Sequence, residues 1–379
     1  MAALALFVGA ALISLPLSST AAEDSRVNRW RDLFPSVNGD NKDSHNMAWD
    51  SDSDRMVMFG GHHSNCVTPG CHNRTYFFDF ATNNWTSMDI YPNMQKRAEF
   101  GMTYDSRHDR IVTFGGPANY PGNGPATSAW TWTFDYDNLT WSNLTPGLVQ
   151  NPPATGVCRI AYDSQSDRTI LWRPGVIDVY ALSIDSMTWE RLTPPTPRPP
   201  DGASYSMSYD SLHDRVIITM IPWGAGMVRE TWAFDYNSNA WQRRALTGPI
   251  PANDATGGAI PWTTYDSPSD RTILYMDDQV TWSYDWNTDQ WYDMGVTGPP
   301  GHHFTFVYVP EQDAVLFYGG TVGGNRNTWV YELTPPDVVE GIDGWLGVVG
   351  TTVVALFLIF RRSPRRGPSR PRSSGTSGR

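Results

Sequence analysis

Apolar and polar positions alternate along most of this chain in short runs, and polar turns interrupt the alternation at regular intervals. One phrase recurs as MAWDSDSDR (Met47 to Arg55), MTYDSRHDR, IAYDSQSDR, MSYDSLHDR and TTYDSPSDR, with a degenerate sixth copy, FVYVPEQDA, that ends at Ala314. Alternating residues on both sides of an Asp/Ser-rich turn predict two antiparallel strands joined by a hairpin. A second phrase follows the first, as TYFFDFATNNW, TWTFDYDNLTW, VYALSIDSMTW, TWAFDYNSNAW and TWSYDWNTDQW. Its period-2 pattern also breaks at a polar turn, predicting a second hairpin. Each copy therefore supplies four strands, here named a to d.

Four short strands per copy at a period of about fifty residues is the signature of a radial β-propeller. The expectation is an all-β fold, a six-bladed propeller over residues 23 to 336. Trp85, Trp141, Trp189, Trp241 and Trp291 form one aromatic column, and Tyr76, Trp132, Tyr180, Trp232, Trp282 and Trp329 form another. A column that repeats in every blade marks packing, not one unique site. The sixth copy stops after TWVYELTPP and lacks strand d. The segment RVNRWRDLFP (Arg26 to Pro35) matches DNLTWSNLTP and DSMTWERLTP from the ends of blades 2 and 3, with Trp30 in the Trp position. It is expected to pair with the last repeat and so close the ring without an exposed edge.

These copies resemble kelch repeats. The likeness rests on FGG at Phe59 to Gly61 and at Phe114 to Gly116, YGG at Tyr318 to Gly320, and the two aromatic columns, and it spans roughly residues 24 to 336. Blades 3, 4 and 5 depart from it, with Arg173-Pro174-Gly175, Pro222-Trp223-Gly224 and Met276-Asp277-Asp278 in place of the Gly pair. The kelch family includes the copper radical oxidase galactose oxidase, whose propeller uses two Tyr, two His and a thioether-forming Cys. His302-His303 is not a Tyr-His pair and Cys158 has no identifiable Tyr partner, which argues against that chemistry here.

The chain ends change the picture of where the propeller works. Residues 1 to 22 carry the apolar run ALALFVGAALISLPL followed by SSTAA, which reads as a secretory signal cut after Ala22. Gly344 to Phe360 is apolar for seventeen residues, the short limit of a spanning helix, and seven arginines follow it. By the positive-inside rule the tail of residues 361 to 379 is cytoplasmic and disordered, residues 337 to 343 are a linker, and the propeller faces outward. With those seven arginines set apart, twenty-one basic residues face thirty-nine acidic ones, a formal charge of −18. So acidic a surface disfavours nucleic acid and polyanions as ligands. Cys66 and Cys71, in the loop CVTPGC, are expected to form a disulfide in an oxidising compartment, leaving Cys158 as a small buried residue. Asn73, Asn84, Asn138 and Asn143 each begin an N-x-T sequon, consistent with a glycoprotein.

Loops of a propeller sort by face, because b-to-c loops and blade-to-blade connections share one mouth of the channel while a-to-b and c-to-d turns share the other. His108 and His213 fall in DSxHDR turns and are expected to be solvated. His45, His62, His63, His302 and His303 fall on the mouth side of blades 1 and 6, neighbours once the ring closes. Such imidazoles suit Zn or Cu, or acid/base chemistry near neutral pH. Arg159 and Arg173 are expected near the channel, and Asp277-Asp278 offers a weak Ca²⁺ signal. Tyr120, Trp223 and Trp262 lie outside the aromatic columns and suit stacking on sugar rings or anchoring a protein. The reading is a membrane-anchored, outward-facing binding or adhesion module for a glycan or protein. The rival is a metal-dependent oxidase or glycan hydrolase using the His-rich sector.

Overall fold

A computed structural model describes residues 28–39, 43–62, 74–88, 97–117, 127–222, 229–246, 261–276, 278–301, 303–319 and 328–333. The expected signal (1–22), the disulfide pair Cys66 and Cys71, the linker and the segments 344–360 and 361–379 lie outside them. Among the described residues no helix is long and apolar enough to cross a membrane.

Each repeat folds into one four-stranded antiparallel sheet. Blade 1 is β2 (Asp43–Asp50), β3 (Arg55–His62), β4 (Thr75–Asp79) and β5 (Asn84–Met88); blade 2 is β6 (Gly101–Asp105), β7 (Arg110–Phe114), β8 (Thr131–Asp135) and β9 (Thr140–Asn143). Blade 3 is β10 (Arg159–Asp163), β11 (Arg168–Trp172), β12 (Val179–Ser183) and β13 (Thr188–Leu192); blade 4 is β14 (Ala203–Asp210), β15 (Arg215–Pro222), β16 (Glu230–Asp235) and β17 (Ala240–Arg244). Blade 5 is β18 (Trp262–Asp266), β19 (Arg271–Tyr275), β20 (Val280–Asp285) and β21 (Gln290–Thr297). Blade 6 takes β22 (Thr305–Val309), β23 (Ala314–Tyr318) and β24 (Thr328–Glu332) from the end of the repeats, and β1 (Arg29–Asp32) from the start of the chain. The innermost strands touch in the order β2, β6, β10, β14, β18, β22 and back to β2, which closes a ring of six.

Closure follows the sequence match. Arg29 faces Glu332, Trp30 faces Tyr331 and Asp32 faces Trp329 across an antiparallel pair. The Trp30 ring packs on Tyr275, Phe306, Phe317 and Tyr331, so the strand is fixed by an aromatic core as well as by its ladder. The strand-d tryptophans of five blades also tie each of those blades to its neighbour. Their indole N–H groups donate to the first threonine of strand c one blade back: Trp85 to Thr328, Trp141 to Thr75, Trp189 to Thr131, Trp291 to Thr231 and Trp30 to Thr281, at 2.8 to 3.0 Å.

The polar residues of the first phrase are turn machinery. In blade 2 the carboxylate of Asp105 accepts the backbone N–H groups of Arg107 and His108, and blades 1, 3 and 4 repeat the pattern at Asp50, Asp163 and Asp210. The Asp that closes each turn takes positive φ, between 49° and 56° over Asp54, Asp109, Asp167, Asp214, Asp270 and Asp313. Asp tolerates this region better than most residues. From blade 2 onward it also accepts the strand-a tyrosine hydroxyl, from Tyr104, Tyr162, Tyr209, Tyr265 and Tyr308. The Arg that follows pairs with the Asp ending strand c, as Arg55–Asp79, Arg110–Asp135, Arg215–Asp235 and Arg271–Asp285. Blade 3 carries Ser183 in that place, and Arg168 turns to the Tyr236 hydroxyl.

The Gly pairs have a steric cause. Gly60 and Gly61 have φ of 73° and 88°, and a Cβ there would meet the Arg97 carbonyl at 2.6 Å and the Asp43 carbonyl at 2.8 Å. Strand b ends against the connection into the next blade, with no room for a side chain.

Candidate functional site at the channel mouth

The six innermost strands enclose a central channel of about 320 Å³. Its mouth is set by the residues that lead into those strands. Ser44 donates its backbone N–H to the His303 carbonyl, Glu99 to the Ser44 carbonyl and Cys158 to the Glu99 carbonyl, linking blades 6, 1, 2 and 3 around the rim. Ser44, Glu99 and His303 all hold positive φ, at 55°, 53° and 57°. Three non-glycine residues in this region store backbone strain at one rim.

Behind the rim stands Arg159, the first residue of β10, whose side chain lines the channel although the residue is only 5 % exposed. One guanidinium N–H bonds the Cys158 carbonyl at 2.9 Å, and the group lies 4.5 Å over the Trp262 ring. Among the described residues its Nε has no partner and no carboxylate comes within ion-pair distance. Burial pushes its pKa down, with Tyr205, Cys158 and Glu99 opposing. Arg97 lies close by in the same sector, fully buried over Trp130, with Nε and Nη2 unpaired among the described residues, and burial lowers its pKa to about 10. Both cations act on Cys158 between them, yet burial still pushes the thiol up to about 11. It is therefore an inert packing residue. Asn46, Ser206 and Thr263 add polar atoms to the wall, with Thr263 bonded to Ser206 at 3.1 Å.

The structure redistributes the residues singled out from the sequence. Arg159 and Trp262 meet at the channel. Trp262 opens strand β18 and is buried under the guanidinium, so it braces Arg159 instead of offering a free stacking face. Arg173 is not among the residues that line the channel; it borders a separate small groove with Pro152, Pro153, Trp172 and Asp178. His45 is buried edge-on against Tyr318, while His303 reaches the Ser44 hydroxyl at 3.1 Å and Glu99 at 4.0 Å. Both His303 contacts use Nδ1, so the ring does not relay a proton from one to the other. Tyr120, Trp223, His63, His302 and Asp277 lie outside the described residues, as does the His62 side chain. Asp278 accepts the Val280 N–H at 3.1 Å in a tight turn.

His108 and His213 correct the expectation of solvated turn residues. His108 Nδ1 lies 2.9 Å from Asp105 and 3.7 Å from Asp167 of the next blade, and its Nε2 is 3.0 Å from Asp185. His213 Nδ1 lies 2.9 Å from Asp210 and 3.5 Å from Asp270, and its ring stacks on Trp286. Where blades 1, 3 and 5 carry Ser53, Ser166 and Ser269, the longer imidazole reaches across to the neighbouring blade. No local signal announces these contacts, because the carboxylates belong to the next repeat. The rim residues Ser44 and Glu99 escaped notice for a similar reason, since their backbone geometry has no sequence signature.

Residues 21–220, just over half of the chain, match the family model described as the KLHDC2/KLHL20/DRC7 Kelch-repeats domain. The match covers the first phrases and both Gly pairs of blades 1 and 2, and the six-bladed ring extends the same architecture through blades 5 and 6. A kelch propeller of this kind is a protein-interaction module. With its repeat motifs, its closed ring of six sheets and the matched family model in agreement, the chain belongs to the kelch-repeat family.

Proposed function

We propose that this protein is a membrane-anchored, outward-facing binding module that receives a carboxylate group at the channel mouth through Arg159. The observation that carries the reading is the buried guanidinium without a counter-ion among the described residues. A charge removed from water and left unpaired is costly, and a ligand carboxylate would offset that cost with a bidentate bond. Trp262 holds the guanidinium in place, and the strained rim of Ser44, Glu99 and His303 surrounds the approach. A single carboxylate meets far less repulsion from the acidic exterior than an extended polyanion does. The carboxylate belongs to a protein segment or to an acidic sugar of a glycan, with Tyr120 and Trp223 as the further contacts this reading proposes. The signal at residues 1 to 22 and the apolar run at 344 to 360 support the orientation with the propeller outside and the arginine-rich tail inside.

Arrays of acidic glycans, neutral glycans and peptides, probed with the full chain, test this reading. The expected result is binding confined to carboxylate-bearing ligands and lost in Arg159→Met, whose thermal melt stays close to the parent. Binding to neutral ligands that Arg159→Met leaves untouched would overturn it. Protease treatment of intact cells checks the orientation: cleavage of the propeller with protection of the tail is expected.

A further inference from the structure

Among the described residues the a-to-b turn face, opposite the mouth, holds one constellation twice. Asp105, His108 and Asp167 gather between blades 2 and 3, and Asp210, His213 and Asp270 gather between blades 4 and 5. The two differ in how the carboxylates are neutralised. Between blades 2 and 3, Arg107 donates to Asp167 at 2.7 Å and to Asp185 at 3.0 Å, and His108 uses both ring nitrogens on carboxylates. That cluster carries its own cations. Between blades 4 and 5 the place of Arg107 is taken by Leu212, 65 % exposed, and Asp270 receives only neutral donors besides His213: the Tyr265 hydroxyl at 2.9 Å and the Asn287 amide at 2.8 Å.

We propose that Asp210, His213 and Asp270 form a binding site for a divalent transition-metal ion, with zinc the best fit. The donor set is one imidazole nitrogen and two carboxylate oxygens, the borderline ligands that zinc accepts. Zinc bonds of about 2.0–2.1 Å at tetrahedral angles place neighbouring donors about 3.3 Å apart. The separations of 2.9 Å and 3.5 Å from His213 Nδ1 to Asp210 and Asp270 bracket that value. Each donor is already held by a separate group. The backbone N–H groups of Leu212 and His213 occupy one Asp210 oxygen and leave the other to the imidazole. Tyr265 and Asn287 orient Asp270, and the stack on Trp286 fixes the plane of His213. Donors oriented in this way bind metal more tightly than free ones. Zinc takes Nδ1 as the unprotonated ligand, so uptake releases the imidazole proton if it is present, and water fills the fourth position.

Equilibrium dialysis of the full chain against zinc ion, read by metal analysis, tests the site. The expected result is one zinc per chain, with affinity lowered at least tenfold in His213→Gln and in Asp270→Asn and unchanged in His108→Gln. Leu212→Arg, an exposed substitution that copies the guanidinium of the sister cluster, should abolish uptake while leaving the metal-free melt unchanged. No saturable uptake by the parent chain would overturn the proposal, and so would uptake that survives His213→Gln and Leu212→Arg. Uptake halved equally by His108→Gln and His213→Gln would also overturn it, because Arg107 would then make no difference.

Discussion

Among the described residues the indole N–H of Trp241 has no acceptor, because Val179 stands where every other blade offers a threonine hydroxyl to its neighbour's tryptophan. Both residues sit in the core cluster between blades 3 and 4, with Trp241 also packed against Trp172. A buried donor without a partner is costly, and restoring the partner recovers a net hydrogen bond. Val179→Thr should therefore raise stability by about 1 kcal/mol. Thr281→Val, which removes the acceptor of Trp30, should lower it by about 1–3 kcal/mol. Denaturant melts of the two variants with equal slopes would check both signs.

Closure by β1 makes a larger prediction. Trp30 touches four aromatic rings, whereas the ion pairs of Arg29 and Arg31 with Glu332 are well exposed and contribute little. Trp30→Ala, or deletion of residues 23 to 36, should cost at least about 3–5 kcal/mol, while Glu332→Gln should change stability by less than about 1 kcal/mol. A melting temperature unmoved by the deletion would show that the ring closes without this strand.

What the sequence disclosed and what it hid have one physical cause. The Trp and Tyr columns were legible because each copy repeats the same local pattern of side chains on one strand face. Trp30 could be placed in its column because its flanks copy the ends of blades 2 and 3. The partner of each tryptophan was not legible, since Trp141 reaches Thr75 one blade back and nothing local to either residue records the pairing. Arg159 and Arg173 looked alike in the sequence. Arg159, at the start of β10, lines the channel, whereas Arg173 borders a separate groove.

His108 makes stability depend on pH between blades 2 and 3. Burial of its ring opposes the charged form, but the hydrogen bonds to Asp185 and Asp105 and the nearby Asp167 outweigh it, and the pKa rises above 6.5. Arg107, bound to Asp167 and Asp185, and Arg168, close enough to act on Asp185, are the other cations facing this cluster. A histidine whose folded pKa is raised holds its proton more tightly in the folded state. The stabilisation is complete below the unfolded pKa of 6.5 and disappears as pH climbs through the folded pKa. Melts recorded with a chelator between about pH 6 and pH 8 should show the parent losing stability relative to His108→Gln as pH rises. Parallel curves for the two proteins would refute the clasp.

Tyr104, Tyr162, Tyr209, Tyr265 and Tyr308 each face an aspartate of the preceding blade as well as their own turn Asp: Asp50, Asp105, Asp163, Asp210 and Asp266 in order. At the seam where blade 6 meets blade 1 both members change together. Trp49 replaces the tyrosine, Val309 replaces the aspartate, and the two share one apolar cluster. An isolated carboxylate at position 309 would be buried opposite an indole, so Val309→Asp alone should cost about 3 kcal/mol or more. Trp49→Tyr alone supplies a hydroxyl that finds Asp54 but faces valine across the seam. Together they recreate the joint found at the other five interfaces, and the double variant should be more stable than the sum of the single effects predicts by about 1–3 kcal/mol. A double-mutant cycle in denaturant measures that difference. Strict additivity would mean that the introduced hydroxyl and carboxylate do not engage each other across the seam.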